Sequence, residues 1–400
     1  MFILNILFLT LGFSNSRGIY TDLVQKMKEE NEVYVVTPIE KKYKQATNLS
    51  KCNGLNVLKV KTGNIQKVNK IEKGISTLMI EKQFIKAIDK YLNDVKFDLI
   101  VYSTPPITLS NVVKHIKKRD GSKTYLMLKD IFPQNAVDIE MIKKDSLLYK
   151  FFRNKEIGLY NVSDVIGCMS QGNVEFVLKN NDYIEKEKVE ILPNTITPLR
   201  LEKLDKDNIN KIRNKYNIPK DKTVLVYGGN LGKPQGIDFI IECIKQNERR
   251  NDTFLLIIGS GTDYGKISGF IKENSIKNTI IYSYMQKEDY DNVVKACDIG
   301  LVFLDKRFTI PNIPSRILTY MEFGMPIVAA TDRNTDLNKI LEDGNFGLWS
   351  ESNKVEDFYE NIDKLIEDKD LRTNMGNNGR IYLEKKFTSE RAYDIIIKHV

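Results

Sequence analysis

The segment TIPNIPSRILTYMEFGMPIVAAT, residues 309–331, joins a cation to a helix start. Asn312 and Ser315 are residues of the capping type, and Pro314 suits a first helical turn. A short helix over ILTYMEF, ended by Gly324, leads into the strand PIVAAT. Free amides at 314–316, the positive end of the helix dipole and the Arg316 guanidinium then converge, which is the chemistry of a phosphate cradle. A plain strand–helix connection with a surface arginine has the same spacing.

Two Gly-rich turns precede it. VYGGNLGKPQGIDFII (226–241) reads as strand, loop and helix, with Gly228, Gly229, Gly232 and Gly236 permitting close backbone approach and Lys233 available to an anion. It is neither GxGxxG nor GxxxxGK[ST], so neither the dinucleotide nor the P-loop fingerprint applies. IIGSGTDYG (257–265) repeats the geometry one unit later.

In the first half, Asp130 closes the strand YLMLKD before the turn IFPQN. A carboxylate there can orient or deprotonate a hydroxyl, or simply satisfy turn amides. KKDSLLYKFFRNKEIGLY (143–160) interleaves Leu147, Leu148, Tyr149, Phe151 and Phe152 with Lys143, Lys144, Lys150, Arg153 and Lys155. That mixture suits the interface of an anionic membrane, with KHIKKR (114–119) adding charge, and it also suits a core helix with solvated lysines.

These residues need elements to hold them. Short apolar, β-branched runs recur along the chain, each followed by a stretch with helical periodicity. Those of the first half are 6–11, 33–37, 55–60, 97–103, 124–128, 164–170 and 189–194. Those of the second half are 223–229, 254–261, 279–284, 299–304, 326–331 and 346–350, with helix-like segments such as 71–95 and 355–368 among the connections. The alternation predicts an α/β protein of two doubly wound, Rossmann-like domains with parallel sheets, facing each other across a ligand cleft. The series restarts near 223, which places a boundary at about 197–205. The domains are then 1–200 and 201–379, with a C-terminal helix, 380–400, that caps the second or crosses back to the first.

The 400 residues, 42% hydrophobic and 28% charged, exclude disorder and fibrous repeats and fit this two-domain reading. Four scattered cysteines (Cys52, Cys168, Cys243, Cys297) and two histidines (His115, His399) argue against a zinc site or a Cys/His catalytic pair, and for a reducing, cytoplasmic compartment. MFILNILFLTLGF lacks a basic n-region and is shorter than the roughly 20 residues of a membrane span, so a buried parallel strand is expected. Residues 1–200 carry 31 Lys and Arg against 22 Asp and Glu, whereas 201–400 carry 30 against 31. The first half therefore calls for an anionic partner, and without a nucleic-acid module a membrane surface fits best.

The order VYGGNLGKPQG, IIGSGTDYG, YSYMQKEDYDNVVKACDIGLVFL, IPSRILTYMEFGMPIVAA resembles the nucleotide-sugar half of GT-B glycosyltransferases, and more narrowly the retaining family 4. ILFLTLGFSNSRGIYTDLVQKM, YLMLKDIFPQNAVD, DVIGCMSQGNVEFV and ILPNTI extend the resemblance over nearly the whole chain. KDIFPQNAVD with FTIPNIPSRILTYME and ATDRNTDLNKI looks most like capsule and O-antigen enzymes that transfer N-acetyl-L-fucosamine-type residues. The resemblance implies a donor site of Gly18, Gly229, Asn230, Lys233 and Gly259, with Tyr284, Met285, Pro314, Ser315, Arg316, Thr319 and Glu322. It places Asn15 and Arg17, in the loop between Gly12 and Gly18, on the acceptor side and Asp130 at the catalytic position. It further implies retention of configuration, no metal and no other cofactor.

The sequence also departs from the family. The Arg and Lys of the family's GR-x-x-x-x-KG loop fall on Asn230 and Gln235, and its two glutamates fall on Pro311 and Thr319. Lys233, Arg316 and the amides at 314–316 must then neutralise the diphosphate, with Glu322 standing in at the ribose. The expected activity is sugar transfer from a UDP-sugar to an undecaprenyl-linked saccharide at the inner face of the plasma membrane. A sugar-nucleotide epimerase of the same fold and a non-catalytic nucleotide-sugar-binding partner are the rival readings.

Overall fold

The computed structural model describes residues 3–14, 16–65, 70–202 and 204–400. The chain divides into two compact units: Met1–Thr197 with Ser389–Val400, and Pro198–Thr388.

The first unit is built on β1 (Asn5–Leu9), β2 (Glu32–Glu40), β3 (Asn48–Cys52), β4 (Leu55–Thr62), β5 (Leu99–Ser103), β6 (Lys123–Leu128), β7 (Val165–Cys168) and β8 (Val189–Ile191). They form one sheet in the order β3-β4-β2-β1-β5-β6-β7-β8. Every pairing is parallel except that of β3 with β4. Ile6 to Leu9 are fully buried, as a central parallel strand covered on both faces requires. The opening apolar run is thus sheet core, with Ile6 in register with Val33 on one side and Leu99 on the other.

Helix 19–28 contributes Leu23, Val24 and Met27 to the core beneath β1, β2 and β5, and Ala392, Tyr393 and Ile396 of the C-terminal helix 389–397 join them. The last residues are further tied to this unit by hydrogen bonds. Asn31 Nδ2 donates to the Tyr393 hydroxyl at 2.8 Å, and Lys398 and His399 meet the Glu190 carboxylate at 2.6 and 2.8 Å. The returning segment begins at 389, later than the expected 380. Nothing breaks the helix 369–386, and Arg380 within it donates to the carbonyls of Glu322 and Leu199 in the second unit.

The second unit carries β9 (Thr223–Gly228), β10 (Thr253–Ile258), β11 (Thr279–Tyr282), β12 (Ile299–Phe303), β13 (Ile327–Thr331) and β14 (Gly347–Glu351). The order β11-β10-β9-β12-β13-β14, all parallel, is that of a Rossmann sheet. Its core packs Leu225, Tyr227, Leu255, Ile257, Leu301 and Phe303 against helices 237–248 and 355–367. In each unit the strand order reverses beside the first strand, between β1 and β5 and between β9 and β12. Ligands of such sheets bind at the carboxyl ends of the strands at this point.

Candidate active site

In the first unit the carboxyl ends of β1, β5 and β6 gather the polar groups. Thr104, just past β5, fixes the turn after β6, because its hydroxyl accepts from the amides of Lys129 and Asp130 at 3.0 and 3.1 Å and donates to the Asp130 carbonyl. The Asp130 carboxylate accepts from Asn135 Nδ2 at 2.6 Å. Burial pushes its pKa up to about 6, against the pull of Asn135 and the Ile131 amide. The Oδ1 of the same Asn135 is buried without a partner.

Sequence reasoning missed the neighbours of Asp130. Burial lowers the Lys129 ammonium to about 7, while it donates to the carbonyls of Leu192 and Pro193 at 3.0 Å each. Tyr20 lies close enough for the Asp130 charge to add to the upward push of burial on its hydroxyl. Lys129 was adjacent in sequence. Tyr20 gave no signal, since only the β1–β6 arrangement brings it there.

The acceptor-side residues fare differently. Asn15 lies outside the described residues. Arg17 Nη2 donates to the Thr197 carbonyl and stands 3.7 Å from Asp22, whose carboxylate also accepts from the amides of Thr197 and Gly18 at 2.9 and 3.1 Å. Arg17, expected on the acceptor side, is thus braced within the unit with its side chain 31% exposed. Gly18 begins helix 19–28 beside it, with an amide already committed to Asp22.

In the second unit the loops after β9, β10, β11 and β12 bring the donor-side residues to one edge of the sheet. The loop after β9 continues alongside that after β10, with the Gly229 amide donating to the Ile258 carbonyl and the Leu231 amide to that of Ser260. Gly229 has φ +148°, and a Cβ on Gly259 would sit 1.9 Å from the Gly229 carbonyl oxygen, so only glycine fits both places. Asn230 and Gln235, at the family's Arg and Lys positions, pair with each other: Gln235 Oε1 accepts from Asn230 Nδ2 at 3.0 Å and from the Gly232 amide. They brace the loop rather than charge it. Lys233 is exposed at the first position of the turn 233–235.

The charge comes from Arg316. Its guanidinium stacks on the Tyr227 ring at 4.3 Å, and Nη1 is buried with no hydrogen-bond partner. The Gly229 backbone lies so close that a Cβ there would be 2.9 Å from Nη2. Tyr290, its hydroxyl pushed up to about 12 by burial, also feels the Arg316 charge, and Tyr320 bonds the β9 backbone at Gly228 and Val226. These three tyrosines come from separate elements and were not visible as a set.

The helix itself runs Arg316–Glu322, with Ser315 at its N-cap. Pro314 has no N–H, so the cradle expected of 314–316 has amides only at Ser315 and Arg316. Thr319 is half-buried on this helix. Glu322, expected at the ribose, is buried, and its carboxylate accepts from the Leu199 amide at 2.8 Å. Tyr284 and Met285 follow β11, with Tyr284 70% exposed and its hydroxyl 3.3 Å from Gln286.

The basic–aromatic segment forms helix 147–162, N-capped by the Ser146 hydroxyl. Leu147 is 87% exposed, and Leu148 and Phe151 are also exposed, beside exposed Lys143, Lys144 and Lys150. Arg153 and Lys155 are committed internally, to Glu156 and Asn181 and to Glu81. The run 114–119 does not share this surface. Lys117 is bonded to Asp164, and Arg119 grips Asp120 and the Val95 carbonyl, at the opposite edge of the sheet.

The two Rossmann-like units define the GT-B class of fold. The chain superimposes on the structure of Anabaena HepE in complex with UDP and glucose with a TM-score of 0.73, at 14% identity, covering 99% of each chain. Residues 208–382, most of the second unit, match the model of the family Glycosyl transferases group 1. The probable glycosyltransferase WbjE of Pseudomonas aeruginosa is 24% identical over 258 residues, 63% of this chain and 62% of that protein. The match thus spans about three fifths of that relative's length. A second relative is an N-acetylgalactosamine-N,N'-diacetylbacillosaminyl-diphospho-undecaprenol 4-alpha-N-acetylgalactosaminyltransferase of Campylobacter jejuni. It is 23% identical over 284 residues, 71% of this chain and 70% of that protein.

Proposed function

We propose that the protein is a retaining, metal-independent glycosyltransferase of surface-polysaccharide assembly, transferring an N-acetyl-L-fucosamine-type sugar from a UDP-sugar to an undecaprenyl-linked saccharide. The observation that carries this reading is the buried, unpartnered Nη1 of Arg316 at the carboxyl edge of the second sheet. A buried cationic donor without an acceptor is costly and marks a place for an anion. The UDP complex of the structural neighbour and the undecaprenyl-linked acceptor in the Campylobacter relative's name support the choice of substrates.

In this reading Arg316, Lys233 and the amides of Ser315 and Arg316 hold the donor diphosphate, and charge leaving with UDP develops against the guanidinium. An acceptor hydroxyl gives its proton to the Asp130 carboxylate as its oxygen bonds the anomeric carbon, and the bond to the diphosphate oxygen breaks. Exposed Lys143, Lys144 and Lys150 attract the cytoplasmic face of the plasma membrane. No specific observation favours the epimerase or the non-catalytic partner. A thermal-shift series with UDP-, GDP- and dTDP-sugars tests the donor: stabilisation by the UDP series alone is expected. Turnover unaffected by EDTA checks metal independence.

A further inference from the structure

Seven of the sixteen exposed large hydrophobic residues among those described fall in the N-terminal half of one helix of the first unit and around the start of another. Leu147, Leu148 and Phe151, with Met141 before them, belong to the segment already discussed. Ile75, Leu78 and Met79, exposed by 61%, 45% and 45%, belong to helix 70–91, which carried no functional expectation.

The topology brings the two together. Helices 70–91, 110–120 and 147–162 each connect the end of one parallel strand to the start of the next, so all three begin at the carboxyl edge of the sheet and run the same way. Their right-handed crossovers put them on one face. Glu81 ties them side by side, accepting from the Asn111 amide and Nδ2 at 2.9 and 2.8 Å and standing 3.5 Å from Lys155. At about 1.5 Å per residue, Ile75 lies roughly 9 Å and Leu147 roughly 12 Å from that tie, both toward the edge that carries Asp130.

Each apolar group has lysines behind or beside it. Lys82 and Lys86 continue the exposed stripe of helix 70–91, and Lys143, Lys144 and Lys150 surround the other. Exposed carboxylates nearby are Glu140 and Asp145, so the surface is net positive. Apolar tips with a collar of ammonium groups match the layering of a bilayer, acyl chains below and anionic headgroups above.

We propose that the N-terminal half of helix 70–91 and the first turns of helix 147–162 form a two-pronged docking surface for an anionic lipid bilayer. It gives the lipid-linked acceptor of the proposed function its route to Asp130, and in that respect rests on that reading. Sedimentation with vesicles of 30% phosphatidylglycerol in phosphatidylcholine tests it without donor, acceptor or turnover. A failure here leaves the transferase reading standing, and absence of transfer leaves the docking standing.

The full chain should pellet with these vesicles, not with pure phosphatidylcholine, and less so at high salt. Leu78→Gln with Met79→Gln, and Leu147→Gln with Leu148→Gln, should each lower partitioning about tenfold, and the four together should abolish it. All four side chains are exposed, so an unchanged melting temperature verifies the fold. Wild-type binding by either pair overturns the two-pronged surface. So does equal binding to neutral vesicles, or self-association that the variants abolish without any vesicle binding.

Discussion

Arg316 carries more of this account than any other side chain. Its charge is stacked on Tyr227 and pressed against Gly229, yet Nη1 donates to nothing. A charge-assisted bond to phosphate contributes roughly 1.5–3 kcal/mol, so Arg316→Ala should weaken UDP affinity about 10- to 150-fold by calorimetry. The melting temperature should scarcely fall, because the variant also removes an unsatisfied donor. Unchanged affinity would take Arg316 out of the donor site. Asp130 makes a second prediction through its pKa of about 6, raised by burial. A base works only as the carboxylate, so kcat should rise with pH through about 6 and level off above it. Asp130→Asn should lose roughly 100-fold or more in kcat with UDP affinity intact, and a variant with wild-type turnover would make Asp130 structural. The place of Arg316 at a helix start was legible because Pro-Ser-Arg before an apolar run is a local signal. The engagement of Arg17 by Thr197, and of Glu322 by Leu199, was not, since both depend on partners more than a hundred residues away.

Among the elements, the strands were the most legible. Buried parallel strands need continuous apolar runs, and thirteen such runs in the sequence became thirteen strands of the two sheets. The exception is β3, NLSKC, an exposed antiparallel edge with no apolar pattern to read. Its signal lay in the turn: Asn53 and Gly54 both have positive φ, as a tight hairpin demands. Helix 316–322 starts two residues later than Pro314, and the C-terminal crossing starts at 389, because boundaries are set by tertiary partners that periodicity does not show. That crossing carries the third prediction. Burial pushes the Glu190 carboxyl up, but hydrogen bonds from Lys398, Tyr125 and His399 outweigh it and hold the group below its usual range. A lowered folded-state pKa gives stability that is present above the usual carboxylate range and lost as pH falls through the folded value. Glu190→Gln should loosen helix 389–397 by about 1 kcal/mol, roughly a fivefold faster amide exchange at neutral pH. The two proteins should converge in acid. Identical exchange at neutral pH would mean the apolar face of the helix anchors it alone.

At the scale of the whole chain, positive charge is in excess in residues 1–200, and the buried Arg316 guanidinium lies in the second unit. The second unit holds the residues that match the Glycosyl transferases group 1 model, and the first carries Asp130 and the lysine-collared apolar tips. Composition showed this division, but it also suggested that 114–119 and 143–155 act as one basic surface. Fold topology separates them, because 114–119 ends its helix at the far edge of the sheet. Ligand linkage should appear in the same division. A saturating UDP-sugar, at about 100 times its Kd, should add about 2.7 kcal/mol to the native state and raise the melting transition of the second unit first. Equal shifts with GDP- and dTDP-sugars would remove uridine selectivity from the account. The central claim is sugar transfer, and its most direct measurement follows radiolabel from a UDP-N-acetyl-L-fucosamine-type donor into an organic-extractable undecaprenyl-diphosphate saccharide. Label should enter the lipid product with wild-type protein and be lost with Arg316→Ala. Label that stays on the donor, or leaves it only as free sugar, while UDP binds normally, would contradict it.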